Sequence, residues 1–115
     1  MPVLKIFHDP ALTPRVRSQA TEIRAALEKM LQEQLFADPA KCQIVITDAM
    51  ASPYPVYVDI QFRANPRRDR VMVGAAMART AEILTGALDA PVRIRAFDID
   101  EAGLHAHDTG LEGLG

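Results

Sequence analysis

The 115-residue sequence predicts an α+β domain: two tandem β-α-β units sharing one four-stranded sheet, with both helices on one face. Three observations carry this. Apolar and polar residues alternate strictly in some short stretches, and apolar residues recur every three or four positions in two longer ones. The proline punctuation also repeats: Pro66 follows Pro14 by 52 residues, Pro91 follows Pro39 by 52, and Pro55 follows Pro2 by 53.

The first strand is expected over Pro2 to Phe7, ended by the breaker cluster His8-Asp9-Pro10. Thr13-Pro14 then reads as a helix cap followed by proline in the first turn. Val16, Ala20, Ile23, Leu27, Met30 and Leu31 fall on one helical face, and Asp38-Pro39 closes that region. Cys42 to Thr47 is a β-rich run, the second strand. Asp48 to Pro55 is a loop by its turn residues. In the third strand Val56, Val58, Ile60 and Phe62 alternate with Tyr57, Asp59, Gln61 and Arg63. Asn65-Pro66 repeats the cap-then-proline device before a helix carrying Val73, Met77, Ala81, Leu84 and Leu88. After Pro91, the fourth strand alternates Val92, Ile94 and Ala96 with Arg93, Arg95 and Phe97.

Length favours a single domain, residues 1–115, with units at 2–49 and 55–100 and a tail at 101–115 that is irregular or reaches a neighbouring subunit. Each unit alone is too small to cover both faces of its strands, so the two share a sheet. Right-handed crossovers make the strands within each unit parallel. The face left open carries Tyr57, Gln61, Arg63, Arg93 and Arg95, a mixture suited to an oligomer interface.

Composition narrows the function classes. The net charge of −2 and a 5% aromatic content argue against a nucleic-acid surface. One cysteine, Cys42, excludes an intramolecular disulfide and a cysteine-based zinc site, and fits a reducing, cytoplasmic setting. The apolar run in MPVLKIFHDP is too short for a signal peptide, and no stretch is expected to span a membrane.

Met1-Pro2 opening a strand, the duplicated β-α-β pattern, the length and the run PVRIRAFDIDE (Pro91 to Glu101) together resemble the tautomerase superfamily. That superfamily includes 4-oxalocrotonate tautomerase, 5-carboxymethyl-2-hydroxymuconate isomerase and macrophage migration inhibitory factor. The resemblance covers roughly Pro2 to Asp100. It implies a homotrimer, no cofactor, and a mature N-terminal proline, here Pro2, exposed by removal of Met1 and acting as general base in a keto–enol tautomerase or isomerase. The substrate it implies is a small 2-oxo or 2-hydroxy-enoic acid.

The chemistry is coherent. A free prolyl nitrogen is a secondary amine, and an α-amino group ordinarily titrates near ~8. Desolvation or a nearby cation lowers that value towards neutrality, where a general base works best. If Met1 is retained, the same nitrogen is an amide and cannot take a proton. A carboxylate substrate needs a two-pronged donor, and Arg93 and Arg95 project from the same strand face. By the resemblance they fall where a neighbouring subunit lines the proline pocket, and their charge would depress the Pro2 pKa. An interface ion pair, with Asp59 for example, is the competing reading. Arg63, at the end of the third strand, either reaches the same pocket or is a solvated strand end.

Some positions depart from the family patterns. Leu12 and Gln43 stand where the oxalocrotonate pattern has arginine, and Phe36 and Asp38 occupy a junction where the inhibitory-factor pattern has lysine. The substrate is therefore expected to differ from that of either prototype. His105, His107 and Asp108 read as a mobile tail rather than a metal site, and His8-Asp9 as turn chemistry. Arg67, Arg68 and Arg70 read as a solvated face, and Cys42 as a core residue. The reading from a different class is a non-catalytic ligand-binding or regulatory module, with a ferredoxin-like arrangement of the same elements as its structural version.

Overall fold

Alternation in the strands and helical periodicity between them have one joint solution in the computed structural model, which describes residues 2–110. Strand β1 (Val3–His8) leads through a single 3-10 turn at Pro10–Leu12 into α1 (Thr13–Leu35), and a second such turn at Pro39–Lys41 leads into β2 (Gln43–Asp48). Strand β3 (Val56–Arg63), α2 (Arg70–Leu88) and β4 (Val92–Ile99) repeat the pattern. The sheet order is β2-β1-β3-β4. Within each unit the strands are parallel, as expected, and the units join through the antiparallel β1–β3 pair.

The helices pack against each other and cover one sheet face. Leu4, Ile6, Val56, Val58, Ile60 and Phe62 face them, interleaved with Ile23, Leu27, Leu31 and Leu35 of α1 and with Ala76, Leu84 and Leu88 of α2. Ala20, Val73, Met77 and Ala81 were expected on the buried faces. They are only partly buried; on α2 the fully buried positions are Ala76, Thr80, Leu84 and Leu88. Thr80 is tolerated there because its hydroxyl donates to the Ala76 carbonyl at 2.7 Å.

Both expected caps move. Thr13 lies inside α1 and its buried hydroxyl has no partner, whereas Asp9 takes the Ala11 N–H one turn earlier. Asn65 closes a turn onto Arg67, and Asp69 caps α2 by accepting from Met72 at 2.9 Å. Pro14 does sit in the first turn of α1, as expected, whereas the Asn65-Pro66 turn precedes α2 rather than starting it. Apart from a 3-10 turn at Glu101–Gly103, the tail is irregular to residue 110, and its last five residues lie outside the described chain.

One expectation needs amending. An 18-residue window of α2 has a mean hydropathy of 1.3, long and apolar enough to cross a membrane. The helix packs on α1 and β4, but only 22% of that window is buried, so packing within one chain covers a minor part of its apolar surface.

Candidate active site

Every odd-numbered residue of β1 points to the open face, and every even-numbered one points to the helices. Pro2 continues the even series: its ring is less than 2% exposed, and its carbonyl accepts the Gln43 N–H at 3.0 Å. The β1–β2 ladder thus already holds Pro2 before β1 formally begins.

Three chain segments meet around Cys42, the neighbour of the Gln43 that bonds the Pro2 carbonyl. Cys42, beside Gln43, is half-buried; its thiol donates to the Asp38 carbonyl at 3.3 Å, and burial pushes the thiol pKa up. At the end of α1, Phe36 closes the helix in the left-handed conformation, φ 56°. From the β3–α2 loop, the Arg67 guanidinium stacks over the Phe36 ring at 3.9 Å. Arg68 donates through Nε to the Leu35 carbonyl at 2.7 Å and through Nη1 to the Arg63 carbonyl at 2.9 Å. Burial holds the Arg68 guanidinium below its ordinary value, and its charge in turn lowers the Cys42 thiol against the larger effect of burial.

Arg68 therefore corrects the sequence reading. It is not part of a solvated face but ties the end of α1 to the end of β3, beside Cys42. The signal lay in Asp69: an acidic cap three residues before Met72 starts α2 at Arg70, leaving Arg67 and Arg68 in a short loop between two packed ends.

The arginines singled out in the sequence do not converge within one chain. In the sheet register Val3 lies opposite Gln61, which lies beside Phe97. One step further puts Pro2 level with Phe62 and Asp98. Arg93 is then roughly 20 Å away and Arg95 roughly 14 Å away, given ~3.4 Å per residue and ~4.8 Å per strand. Both project from the opposite face. Arg93 lies over the Tyr54 ring at 4.3 Å, and Arg95 donates to the Ile94 carbonyl at 2.8 Å. Arg63 is at the Pro2 end; its Nη1 is 3.6 Å from the Glu101 carboxylate, and its Nε is buried without a partner.

The open face runs in cross-strand rows. Phe7 and Tyr57 stack with ring centroids 6.3 Å apart, in a row continued by Arg93. The next row holds Lys5, Asp59 and Arg95. Asp59 forms no ion pair with Arg95 among the described residues, and its Oδ1 is buried without a partner. Val45 and Phe97 on this face are 39% and 49% exposed. Among the described residues no three His, Cys, Asp or Glu side chains converge as a metal site.

The sequence matches no protein-family model and no curated protein. Solved structures do match the fold. N1, a member of the cis-3-chloroacrylic acid dehalogenase family, superposes with a TM-score of 0.72 at 13% identity, over 97% of this chain and 88% of its own. The R7 fused 4-OT wild-type asymmetric trimer gives 0.70 at 14% identity, over 97% and 98%. The chain has the tautomerase-superfamily fold. Pt0534, a structure inactivated by 2-oxo-3-pentynoate, gives 0.69 at 13% identity, over 99% and 98%.

Proposed function

We propose that the protein is a cofactor-free keto–enol tautomerase or isomerase of small 2-oxo or 2-hydroxy-enoic acids, with Pro2 as general base once Met1 is removed. The observation that carries this is the position of Pro2: at the head of a central strand, its ring enclosed on the helix side of a tautomerase-type sheet. An apolar enclosure disfavours the ammonium form of a freed prolyl nitrogen and poises it as a base near neutral pH. The proton leaves the enol oxygen for that nitrogen and returns from it to the carbon terminus of the conjugated system.

The working unit is a homotrimer in a reducing, cytoplasmic setting. The open sheet face supports association, because it leaves Phe97 and Val45 exposed and the Asp59 carboxylate without a partner. Arg93 and Arg95 reach the site of a neighbouring subunit, since their own Pro2 is too distant. There they bind the substrate carboxylate and carbonyl, and Arg63 assists from the Pro2 end of its own chain.

Two measurements test this. Intact mass should show loss of the initiator methionine, and phenylenolpyruvate should be ketonised by the wild type but not by Pro2→Ala. Equal rates in both proteins, or no activity in a correctly processed wild type, would sink the assignment. The full enclosure of the Pro2 ring favours one competing reading, a non-catalytic ligand-binding module in which proline only seals the strand end. That reading expects ligand binding without ketonisation.

A further inference from the structure

Phe62, which the sheet register places level with Pro2, is also the floor of a cavity of about 450 Å³ under the start of α2. Val73 and Met77 continue the apolar floor, and Arg68 and Arg70 stand on the rim. The volume falls in the usual range for small-molecule sites.

The cations on this rim are not neutralised by ion pairs. Arg68 spends Nε and one Nη1 proton on two backbone carbonyls, which fix the guanidinium plane but carry no net charge. Its remaining N–H groups are left for a ligand. Arg70 makes no ion pair or side-chain hydrogen bond among the described residues. Two acids also line the cavity. Asp69 has one carboxylate oxygen committed to the Met72 N–H. Asp98 has no ion pair among the described residues, and it projects from β4 on the side that carries Phe62. The wall therefore offers two guanidinium donors, the Asp98 carboxylate, one uncommitted Asp69 oxygen and an aromatic floor.

We propose that this cavity binds a monocarboxylate bearing an apolar or aryl substituent, its carboxylate between Arg68 and Arg70 and its substituent on Phe62, Val73 and Met77. A 2-hydroxy-enoic acid fits the whole wall, because its enol hydroxyl donates to Asp98 while its carboxylate accepts from the arginines. The proposal rests on the tautomerase reading only for delivering the bound molecule to Pro2, one strand away from Phe62. It narrows the substrate class from small enoic acids in general to those with an apolar tail. It also places a first carboxylate contact on the chain that carries Pro2, made before the molecule reaches Arg93 and Arg95 of a neighbouring subunit.

Methyl-labelled methionine NMR tests binding separately from catalysis. Met77 lines the cavity, and Met50, 94% exposed on a loop, serves as internal control. Cinnamate should shift Met77 and leave Met50 in place, in the wild type and in Pro2→Ala alike. Cinnamamide, isosteric but neutral, should bind about tenfold more weakly, and Arg70→Gln should weaken cinnamate to a similar degree. Asp98→Asn should tighten cinnamate by removing a like charge. Gly74 lines the same cavity, and a Cβ built on it meets nothing within 4 Å. The backbone therefore admits a side chain there, and Gly74→Leu should occupy the cavity and abolish the Met77 shift. A Met77 signal unmoved by cinnamate near its solubility limit overturns the proposal, as does equal binding of cinnamamide. Ketonisation that survives Gly74→Leu unchanged overturns it too, while leaving the role of Pro2 standing. Cavity binding without any ketonisation leaves the site standing and removes the tautomerase reading.

Discussion

Arg67, Arg68 and Arg70 are near neighbours in sequence but hold three different environments, so replacing each with methionine should give three different stabilities. Methionine keeps much of the aliphatic stem, so the change isolates the guanidinium. A hydrogen bond from a charged group contributes about 1.5–3 kcal/mol where its partner would otherwise be stranded. Arg68 makes two, to the Leu35 and Arg63 carbonyls, but the site is only half-buried and water can replace part of the loss. Arg68→Met should thus cost about 2–3 kcal/mol. Arg67 offers an exposed cation–π contact to Phe36, so Arg67→Met should cost about 0.5–1 kcal/mol. Arg70→Met should fall within about 0.5 kcal/mol of the wild type, as for a surface residue without partners. The assay is urea unfolding, which avoids ionic screening, at one fixed protein concentration so that association does not move the midpoint. Equal effects at all three positions, or an Arg68→Met within about 0.5 kcal/mol of the wild type, would refute the anchoring argument.

Other expectations follow from the core, the helix ends and the thiol. Leu27 is fully buried where α1 meets the sheet, so Leu27→Ala should cost about 3–5 kcal/mol and lower the thermal midpoint by at least 10 °C, to an order of magnitude; a loss under about 1 kcal/mol would show that the site collapses freely. Asp89 ends α2 at φ 50°, so Asp89→Gly should gain about 0.5–1 kcal/mol, read as a raised midpoint. The Arg15–Asp89 pair at 4.0 Å, on two exposed side chains, is too weak to reverse that sign. Burial raises the Cys42 thiol above its ordinary 9.0, so alkylation by iodoacetamide at neutral pH should be slower than in urea-unfolded chain. Because the folded state disfavours the thiolate, this contribution to stability is complete below pH 9 and is lost as pH rises through the folded pKa. Cys42→Ser should remove that slope.

The strands and helices were legible because both periods are strong and the register of prolines repeats. Val56 to Arg63 shows this best: eight residues alternate without exception, and the structure buries every second one. Helix starts were less legible, since Thr-Pro and Asn-Pro mimic caps, whereas Asp69 bonds the first turn of α2 and Asp9 bonds only the 3-10 turn ahead of α1. The site was half legible. Pro2 announced itself by position, but Arg68 did not, because its partners are backbone carbonyls contributed by Leu35, 33 residues away, and Arg63. No side-chain pattern encodes such a contact. Arg93 and Arg95 were read correctly as sharing a face, but their distance from Pro2 depends on strand order and register, which periodicity does not give.

The matched prolines have unequal fates. A polypeptide has a single amino terminus, so of two copies of a strand opened by proline only the first can ever present a basic nitrogen. The second copy, Pro55, is locked in a peptide bond, and its carbonyl accepts the Asp9 N–H at 2.8 Å, pinning the exit of β1 to the entry of β3. Across the sheet, His8 lies beside Asp48 where the other half sets Phe62 beside Asp98. Repetition of the unit has thus divided the residues: the first half holds Pro2, and the second holds Arg63, Arg68, Arg93 and Arg95. That half is also the post on which the first is mounted, so a change at the joint between Asp9 and Pro55 would be felt in both.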